Sequence, residues 1–500
     1  MPGRDKLNAI MIAGECVPFA KAGGLADVIG ALPAELEKLG VTTRIIIPRY
    51  RAIDLAKFGF LPYSVAGDLR VPVGSEDLAY DVHCGLVPGT SIEVFLVGND
   101  RFFDRDGIYV DAETGIDYPD QADRWIFFQR AALAFVNSAF PEVDVLHCHD
   151  HQTGLIPAYL EKFYRRVGLL TRTASVYTIH NLGYQGLFPR EVMIRAGFDD
   201  NEFYPMSSFE FYGAMNFMKA GISYADLITT VSETYAREIR ESREFGNGLE
   251  GVLHDRRNDL VGILNGIDDA LWNPETDPLI VARYSASDLS GKVDNKRALL
   301  RAYGMSDERL DRPVLAMISR IDVQKGFDLV VSIFDDLLAR DVYFVLLGSG
   351  HRETEANLKT LVQRHKVKAG MHFEFDNGSA HLVEAGADIF LMPSKYEPCG
   401  LNQMYSLRYG TVPVVRSTGG LADTVREYDA ATGEGNGFCF ADYDPDQFKA
   451  AIDRALTLWR DRNAWRRVMV NGMKQDFGWK ESAKKYVSAY RRVVDGRRGQ

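Results

Sequence analysis

Cysteine is scarce in this chain of 500 residues, which contains five: Cys16, Cys84, Cys148, Cys399 and Cys439. Their number is odd, they are widely spread, and no two of them form a Cys-x-x-Cys pair. This pattern indicates neither a disulfide framework nor a zinc ribbon. It is typical of proteins from a reducing compartment, so we expect a cytoplasmic location.

Long apolar runs are also missing. No segment approaches 18 uninterrupted apolar residues, so the sequence predicts no membrane-spanning helix. Near the amino terminus, Arg4 and Lys6 precede an apolar run, but Glu15 interrupts this run after the length of one strand. A run of that length does not predict a secretory signal.

Basic residues are outnumbered, because 58 Lys and Arg stand against 69 Asp and Glu and give a net charge of −11. A non-specific binder of nucleic acid or of anionic membranes needs broad basic patches, so we expect neither partner. Any anionic ligand must be bound by local cations. The hydrophobic content of 46% excludes a disordered chain and is typical of a globular enzyme.

Strand-like and helical segments alternate along the chain in two successive series. Apolar runs rich in β-branched residues and separated by helices indicate parallel sheets that are covered on both faces. We therefore predict an α/β protein with two Rossmann-like, doubly wound domains, 1–257 and 258–478, and a basic terminal helix, 479–500, that packs on the first. The predicted strands are 9–13, 41–48, 92–97, 143–147, 174–179, 260–264, 314–319, 343–347, 371–375, 389–393 and 411–415.

One short motif occurs once in each half of the chain, and each copy opens a predicted helix. Helix amino termini expose unpaired N–H groups, and glycines let a ligand approach the backbone, so both copies are candidate anion sites. The alternative is that each glycine pair only forms a tight turn. The two copies are Gly23-Gly24-Leu25-Ala26-Asp27-Val28 and Gly419-Gly420-Leu421-Ala422-Asp423-Thr424.

Three cations stand at positions where open α/β sheets bind ligands. Lys21 lies two residues before the first glycine pair, and Arg320 and Lys325 follow the predicted strand 314–319. Together they would suit a diphosphate, with Arg as a planar fork and Lys as point charges. Any one of them alone is more typical of an ordinary surface cation, and it is their shared placement after strands that favours a diphosphate site.

An acidic residue follows another predicted strand of the second half. Glu397 comes after the strand 389–393 and directly before a helical segment. Its carboxylate can accept hydrogen bonds from sugar hydroxyls, while the amides of Gly400 and Leu401 can donate to them. The alternative interpretation of Glu397 is a simple helix cap.

A histidine cluster suggests a metal site at first sight. His147, His149 and His151 alternate, so they would share one face of a strand. Residues 150–154 are typical of a turn into a helix, however, which breaks that alternation. We therefore favour a hydrogen-bonding loop beside the ligand site and predict no metal.

Taken together, these segments resemble bacterial glycogen synthases and the related starch synthases. Those proteins are retaining glucosyltransferases of the GT-B fold, in which two Rossmann-like domains face each other across a cleft. The matches occur in the order of the family, from the first predicted strand to the last third of the chain. They are 15–28 (ECVPFAKAGGLADV), 178–181 (TIHN), 265–268 (NGID), 324–326 (QKG), 393–401 (PSKYEPCGL) and 417–425 (STGGLADTV).

The resemblance implies ADP-glucose, or less often UDP-glucose, as donor and the non-reducing end of an α-1,4-glucan as acceptor, with no cofactor or metal. It implies that Lys21, Arg320 and Lys325 contact the diphosphate and that His180 lies near the donor glucose. Because those cations come from both halves, we expect the domains to close on the donor. The further implied residues are Gly24, Phe375, Glu397, Cys399, Gly400, Leu401, Thr418 and Gly419 on the donor side and Glu15, Asp150 and Asn181 on the acceptor side.

The chain departs from the family pattern at several positions. Ala22 replaces a usual Thr, His151 a usual Trp, and Asn402 a common Thr. Phe375, implied to stack on the donor base, has no hydroxyl. These differences affect the expected donor and acceptor preferences more than the expected reaction type.

Other functions are compatible with parts of the pattern. A related GT-B enzyme that uses UDP-glucose or a small acceptor is the nearest alternative, and a catalytically silent glucan-binding paralogue is another. A glucan phosphorylase is disfavoured because no pyridoxal phosphate lysine is recognisable, and a periplasmic sugar receptor because no signal segment is recognisable. The retained Lys21, Arg320, Lys325 and Glu397 favour an active transferase.

Overall fold

The computed structural model describes residues 6–65, 69–374 and 376–498, and these form two compact units. The first unit comprises the chain up to Val231, Ala236–Gly266 and the segment from Trp479 onward. The second comprises Ser232–Tyr235 and Ile267–Gly478. Each unit is built around its own parallel sheet.

The elements of the first part of the chain alternate between strands and helices. The strands are β1 (Leu7–Ile12), β2 (Val41–Pro48), β3 (Leu61–Pro62), β4 (Arg70–Val73), β5 (Glu76–Ala79), β6 (Asp81–Leu86), β7 (Glu93–Gly98), β8 (Val145–His149), β9 (Ala174–Ile179), β10 (Leu187–Phe188), β11 (Glu210–Phe211), β12 (Ala214–Asn216), β13 (Leu227–Thr230) and β14 (Leu260–Gly262). The helices are α1 (Gly24–Lys38), α2 (Asp100–Phe103), α3 (Gln121–Ala139), α4 (Ile156–Tyr159), α5 (Val192–Arg195), α6 (Phe217–Tyr224), α7 (Glu233–Glu241), α8 (Arg243–Gly246) and α9 (Glu250–Asp255).

Within the described residues, the main sheet of the first unit has nine strands in the order β14-β13-β9-β8-β1-β2-β7-β6-β3. The strands from β14 to β7 are parallel, and β6 and β3 add an antiparallel edge. Every residue of β8 and β9 is buried, as expected for a sheet covered on both faces. The strand order reverses between β1 and β8, so this unit has a topological switch point there.

The second unit repeats the alternation with a smaller sheet. Its strands are β15 (Val314–Ile318), β16 (Tyr343–Leu347), β17 (Ala369–His372), β18 (Ile389–Met392), β19 (Val412–Arg416) and β20 (Phe438–Phe440). Its helices are α10 (Gly291–Ala302), α11 (Phe327–Ala339), α12 (Arg352–Arg364), α13 (Asn377–Gly386), α14 (Asn402–Arg408), α15 (Gly419–Thr424), α16 (Pro445–Trp459) and α17 (Arg462–Met473).

The six strands found in the described part of this sheet are parallel and run in the order β17-β16-β15-β18-β19-β20. Counted along the chain this is 3-2-1-4-5-6, the strand order of a Rossmann fold. The central strand β15 alternates between two cores. Leu315 and Met317 pack into one core and Ala316 and Ile318 into the other, so helices cover both faces of the sheet.

The predicted break after residue 257 is too early. The strand β14 pairs in parallel with β13, so it completes the first sheet, and the first unit continues to Gly266. The terminal helix α18 (Trp479–Arg498) also belongs to this unit. Its Tyr490 hydroxyl lies 2.7 Å from Nδ1 of His147, and Arg498 pairs with Asp144. These two contacts fix α18 beside β8 and the residue that precedes it.

Most predicted strands match the observed ones within two residues, and the shift of β8 matters for the site. The prediction ended this strand at residue 147, whereas β8 continues through His149.

No helix in the described ranges combines the length and the apolarity that crossing a bilayer requires.

Candidate active site

The switch point of the first unit carries two acidic residues. Glu15 follows β1, and Asp150 follows the neighbouring strand β8. Open α/β sheets bind their ligands in the crevice beyond the carboxyl ends of the strands at such a point. The topology therefore places both acids where a ligand of this unit is expected.

The Glu15 carboxylate is held by the loop that leads into α1. It accepts hydrogen bonds from the amides of Ala22 and Gly23, the latter at 2.9 Å. The Tyr109 hydroxyl is a further hydrogen-bonding neighbour. Burial raises the pKa of Glu15, although these hydrogen bonds act in the opposite direction. The amide of Gly23, the first residue of the first glycine motif, and that of the preceding Ala22 are thus already bonded to an acid of the protein.

Lys21 lies on the surface of this unit. Its ammonium pairs with Asp27 at 2.7 Å, and more than half of its side chain is exposed. Exposed ion pairs contribute about 0–1 kcal/mol, so this contact can be exchanged for one with an anion at little cost. Gly24, where α1 begins, is also exposed.

Asp150 adopts an unusual backbone conformation with φ 56° and ψ −174°. Its carboxylate accepts hydrogen bonds from the amides of His180, at 2.8 Å, and Asn181. Burial, together with the charge of Glu15, raises the pKa of Asp150 to about 7. A strained residue with a perturbed pKa beyond a strand end is typical of a functional site.

The loop after β9 carries His180 and Asn181. Nε2 of His180 lies 3.0 Å from Nδ1 of His149, which is the last residue of β8. Burial lowers the pKa of His180 to about 3, so its ring is neutral near pH 7. The side-chain oxygen of Asn181 accepts a hydrogen bond from the amide of Gly183 at 2.9 Å, which fixes this turn.

The switch point of the second unit lies between β15 and β18, and a cavity of about 200 Å³ opens there. Its lining combines the ends of both strands with the two loops that follow them. The polar lining residues are Ser319, Arg320, Lys325, Ser394, Glu397 and Asn402.

Glu397 is buried in the wall of this cavity. Its carboxylate pairs with the ammonium of Lys325 at 2.7 Å and accepts a hydrogen bond from the Ser394 hydroxyl at 3.1 Å. It does not cap a helix, because α14 begins five residues later and Leu401, at its amino end, makes no side-chain cap. The capping interpretation of Glu397 is therefore wrong.

Arg320 also lines the cavity, and it is exposed. Within the described ranges its guanidinium pairs with no carboxylate. Lys325, by contrast, is held by Glu397. The cavity therefore offers one unpaired cation and one preorganised cation to an anionic ligand.

The second glycine motif packs against the loop of Glu397. Gly419 has φ 46°, and a Cβ atom there would lie 1.9 Å from the carbonyl oxygen of Glu397. A Cβ atom at Gly420 would lie 2.0 Å from the carbonyl oxygen of Cys399. The Gly420 amide also donates to the Glu397 carbonyl at 3.1 Å. These glycines are required because α15 approaches that loop so closely, with Thr418 at its amino end.

Comparison with known proteins gives a consistent result for the whole chain. Residues 8–255 match the family model described as "Starch synthase catalytic domain", and residues 305–468 match "Glycosyl transferases group 1". The chain is 44% identical to the glycogen synthase of Syntrophotalea carbinolica, over 98% of this chain and 99% of that one. It is 43% identical to the glycogen synthase of Thermotoga maritima, with the same coverage. The chain belongs to the glycogen synthase family.

Solved structures agree with this assignment. The catalytic domain of starch synthase IV from Arabidopsis thaliana is similar with a TM-score of 0.88 and 32% identity, over 98% of this chain and all of that one. A sucrose-phosphate synthase from Thermosynechococcus elongatus, at 15% identity and a TM-score of 0.59, shares the fold. The predicted GT-B fold and the predicted class of enzyme, a retaining glucosyltransferase of the glycogen synthase family, are confirmed.

The three departures from the family pattern have defined surroundings. The backbone amide of Ala22 donates to the Glu15 carboxylate, and this hydrogen bond requires no particular side chain at position 22. His151 lies in a short 3₁₀ turn, and its Nδ1 is 3.0 Å from the Tyr184 carbonyl. Asn402 donates to the Ile318 carbonyl at 2.6 Å and so ties α14 to the end of β15. Phe375 lies outside the described residues.

Sequence reasoning missed three residues that contact the predicted ones. Tyr109 touches the Glu15 carboxylate, and Gly14 leaves room for it, since a Cβ atom there would lie 2.9 Å from its hydroxyl. Ser394 donates to Glu397, and its place within a matching segment was an available signal. His149 was weighed as a metal ligand and as part of a hydrogen-bonding loop, but not as the partner of His180. Within the part of the chain that the structure describes, no group of three His, Cys, Asp or Glu residues could hold a metal ion.

The raised pKa of Asp150 predicts a pH-dependent stability. Between about pH 4 and 7 the folded chain keeps a proton that the unfolded chain releases, so this residue's contribution to stability falls as the pH rises. The Asp150→Asn variant carries no such charge. We expect its unfolding free energy relative to wild type to increase by about 2 kcal/mol between pH 5 and pH 8. Urea unfolding at both pH values measures this difference, and parallel pH curves for the two proteins would contradict it.

Proposed function

We propose that the chain transfers glucose from ADP-glucose to the 4-hydroxyl at the non-reducing end of an α-1,4-glucan, with retention of configuration. The observation that carries this proposal is the cavity of the second unit, where Arg320, Lys325 and Glu397 meet at a Rossmann switch point. A nucleoside diphosphate sugar combines an anionic group with hydroxyls, and this cavity offers cations beside a carboxylate. The Arabidopsis starch synthase IV structure is described as bound to ADP and acarbose, which supports an adenine nucleotide and a glucan-like acceptor.

The diphosphate is the group that leaves, and its negative charge grows in the transition state. An ammonium group has three N–H donors, and Lys325 gives one of them to Glu397, so two remain for phosphate oxygens. Arg320 supplies a planar fork for the same anion. Lys21 is proposed as a third contact. Preorganised charge of this kind usually contributes more to catalysis than any other single effect.

The donor glucose is proposed to lie against the Glu397 loop. The carboxylate of Glu397 accepts hydrogen bonds from sugar hydroxyls, and the amides of Gly400 and Leu401 donate to them. Gly400 has φ 68°, which leaves its amide in a turn that an L-residue rarely adopts. Cys399, Thr418 and Gly419 are proposed to complete this donor side.

The acceptor is proposed to contact the switch point of the first unit. Glu15, Asp150 and Asn181 follow three neighbouring strands and are proposed to bind its hydroxyls. Retaining hydrolases use a carboxylate nucleophile. Glu397 is engaged by Lys325 and Ser394, so we assign it to positioning, and the leaving diphosphate is proposed to take the proton of the attacking hydroxyl.

One assay tests the proposal. The purified protein is given ADP-glucose or UDP-glucose in parallel, each with glycogen, maltose or no acceptor, and nucleoside diphosphate release and product linkage are measured. We expect release only with a glucan acceptor, faster with ADP-glucose, new α-1,4 linkages, and the same rate in EDTA. Transfer to maltose alone would indicate a small-acceptor enzyme, and binding of glycogen without release a silent paralogue. Loss of activity in EDTA would contradict the absence of a metal requirement.

Three further predictions concern the setting of this activity. A cytoplasmic location, the absence of a cofactor and the absence of a nucleic-acid partner stay predictions from the sequence.

A further inference from the structure

Three imidazole rings form a row at the carboxyl ends of β8 and β9. His149 is fully buried between the other two, with ring centroids 4.0 Å from His147 and 5.2 Å from His180. Its Nδ1 lies 3.0 Å from Nε2 of His180. Its other nitrogen, Nε2, is buried and has no hydrogen-bond partner among the residues described. The family resemblance implies that His180 lies near the donor glucose, whereas nothing so far gives His149 a role.

The protonation of the His149 and His180 rings follows from their burial. Burial lowers the pKa of His180 to about 3 and that of His149 well below its ordinary value, so both rings are neutral near pH 7. A neutral imidazole has one N–H donor and one acceptor nitrogen. A hydrogen bond between two such rings therefore holds one proton, which belongs either to His149 or to His180.

The two arrangements leave Nε2 of His149 in different states, either as an N–H donor or as a lone-pair acceptor, in both cases without a hydrogen-bond partner among the described residues. If His180 donates, the only proton of His149 sits on Nε2, where a buried N–H group has no acceptor. If His149 donates, its Nε2 presents only a lone pair to the same surroundings. Unsatisfied buried N–H donors are rarer in proteins than unsatisfied acceptors, so the arrangement in which His149 donates is favoured.

We propose that His149 is a positioning residue that donates its Nδ1 proton to His180 and thereby fixes His180 as the tautomer protonated on Nδ1. His180 then has a hydrogen-bond donor on Nδ1, the nitrogen that makes no hydrogen bond to another described residue. Such a donor suits an oxygen atom of the ligand, either a sugar hydroxyl or a phosphate oxygen. This last step rests on the proposed function, whereas the tautomer does not.

His149 is held by a rigid frame. The ring of His147 packs on it, and both nitrogens of His147 are bonded, Nδ1 to the Tyr490 hydroxyl at 2.7 Å and Nε2 to the Thr178 hydroxyl at 2.6 Å. These partners come from α18 and β9. The frame keeps the ring of His147 from turning, so it maintains the position of His149 against His180.

Neutron diffraction from crystals of the deuterated full-length protein without substrate tests the tautomer directly. We expect a deuteron on Nδ1 of His149 and another on Nδ1 of His180. A deuteron on Nε2 of His180 would overturn the proposal. Because no substrate is present, this result does not depend on whether the chain is a glucan synthase.

Two variants test the consequence for turnover. His149→Asn keeps an N–H group near the position of Nδ1, whereas His149→Leu removes it at a similar size. We expect kcat to fall about tenfold or more in the Leu variant and to stay within about threefold of wild type in the Asn variant, with KM for the donor little changed in both. Equal kcat values in the two variants would show that the hydrogen bond plays no part. Melting temperatures report any loss of folding, in which case the neutron result decides.

Discussion

The Lys325→Ala variant is expected to lower turnover by at least about a hundredfold while the protein stays folded. Lys325 is preorganised by its 2.7 Å contact with Glu397 and lines the cavity at the switch point of the second unit. Removing one preorganised contact with a developing charge costs about 3–4 kcal/mol of transition-state stabilisation, which corresponds to this factor. Release of ADP from ADP-glucose in the presence of glycogen measures the loss.

Two controls separate this effect from its side effects. Lys325→Ala leaves the buried Glu397 carboxylate without its cation, which itself can destabilise the loop. The double variant Lys325→Ala/Glu397→Gln removes that charge, and we expect it to restore the melting temperature but not the turnover. Lys449→Ala removes another lysine of the same unit, paired with Asp336 on the surface, and should stay within about twofold of wild type. Near-normal turnover of Lys325→Ala would remove this residue from the proposed diphosphate site.

Local sequence patterns predicted the sheet strands well because a buried parallel strand has a simple composition. The bounds of β2, β9 and β16 agree with the predicted 41–48, 174–179 and 343–347. Errors occurred where polar residues are buried. The predicted strand ended at residue 147 because a turn was expected directly after it, whereas β8 continues through His149, whose ring is fully buried.

Contacts between distant segments could not be predicted in the same way. Lys325 and Glu397 are 72 positions apart, and only the adjacency of β15 and β18 in the sheet brings their loops together. The sequence indicated that each residue follows a strand but not that the two form an ion pair. The same reason applies to Tyr109, which reaches Glu15 from a loop that lies between α2 and α3.

The repeated glycine motif shows how one pattern can meet two structural demands. In the first copy, Gly23 has φ −149°, and a Cβ atom there would lie 3.6 Å from the nearest atom, in the Glu15 carboxylate. In the second copy, the corresponding Gly419 has φ 46° and contacts the Glu397 carbonyl. Only the second position requires glycine, although the letters of the two copies are almost the same.

The matched variants Gly419→Ala and Gly23→Ala are therefore expected to behave very differently. Alanine at position 419 is strained by the left-handed backbone and would also push the Glu397 backbone away, since its Cβ atom would lie 1.9 Å from that carbonyl oxygen. We expect a loss of about 3 kcal/mol in unfolding free energy and a fall in turnover of about a hundredfold, because Glu397 and Lys325 move together.

Alanine at position 23 meets only ordinary contacts, so we expect both quantities to stay near wild type. Thermal unfolding and the ADP-release assay, run on both variants, give the comparison. Similar losses of stability and turnover in the two variants would contradict this expectation. They would favour the other interpretation, in which both copies of the motif serve as anion sites. The close packing of Gly419 argues against that interpretation. A stable but inactive Gly419→Ala variant would instead locate the whole effect in the position of the Glu397 loop.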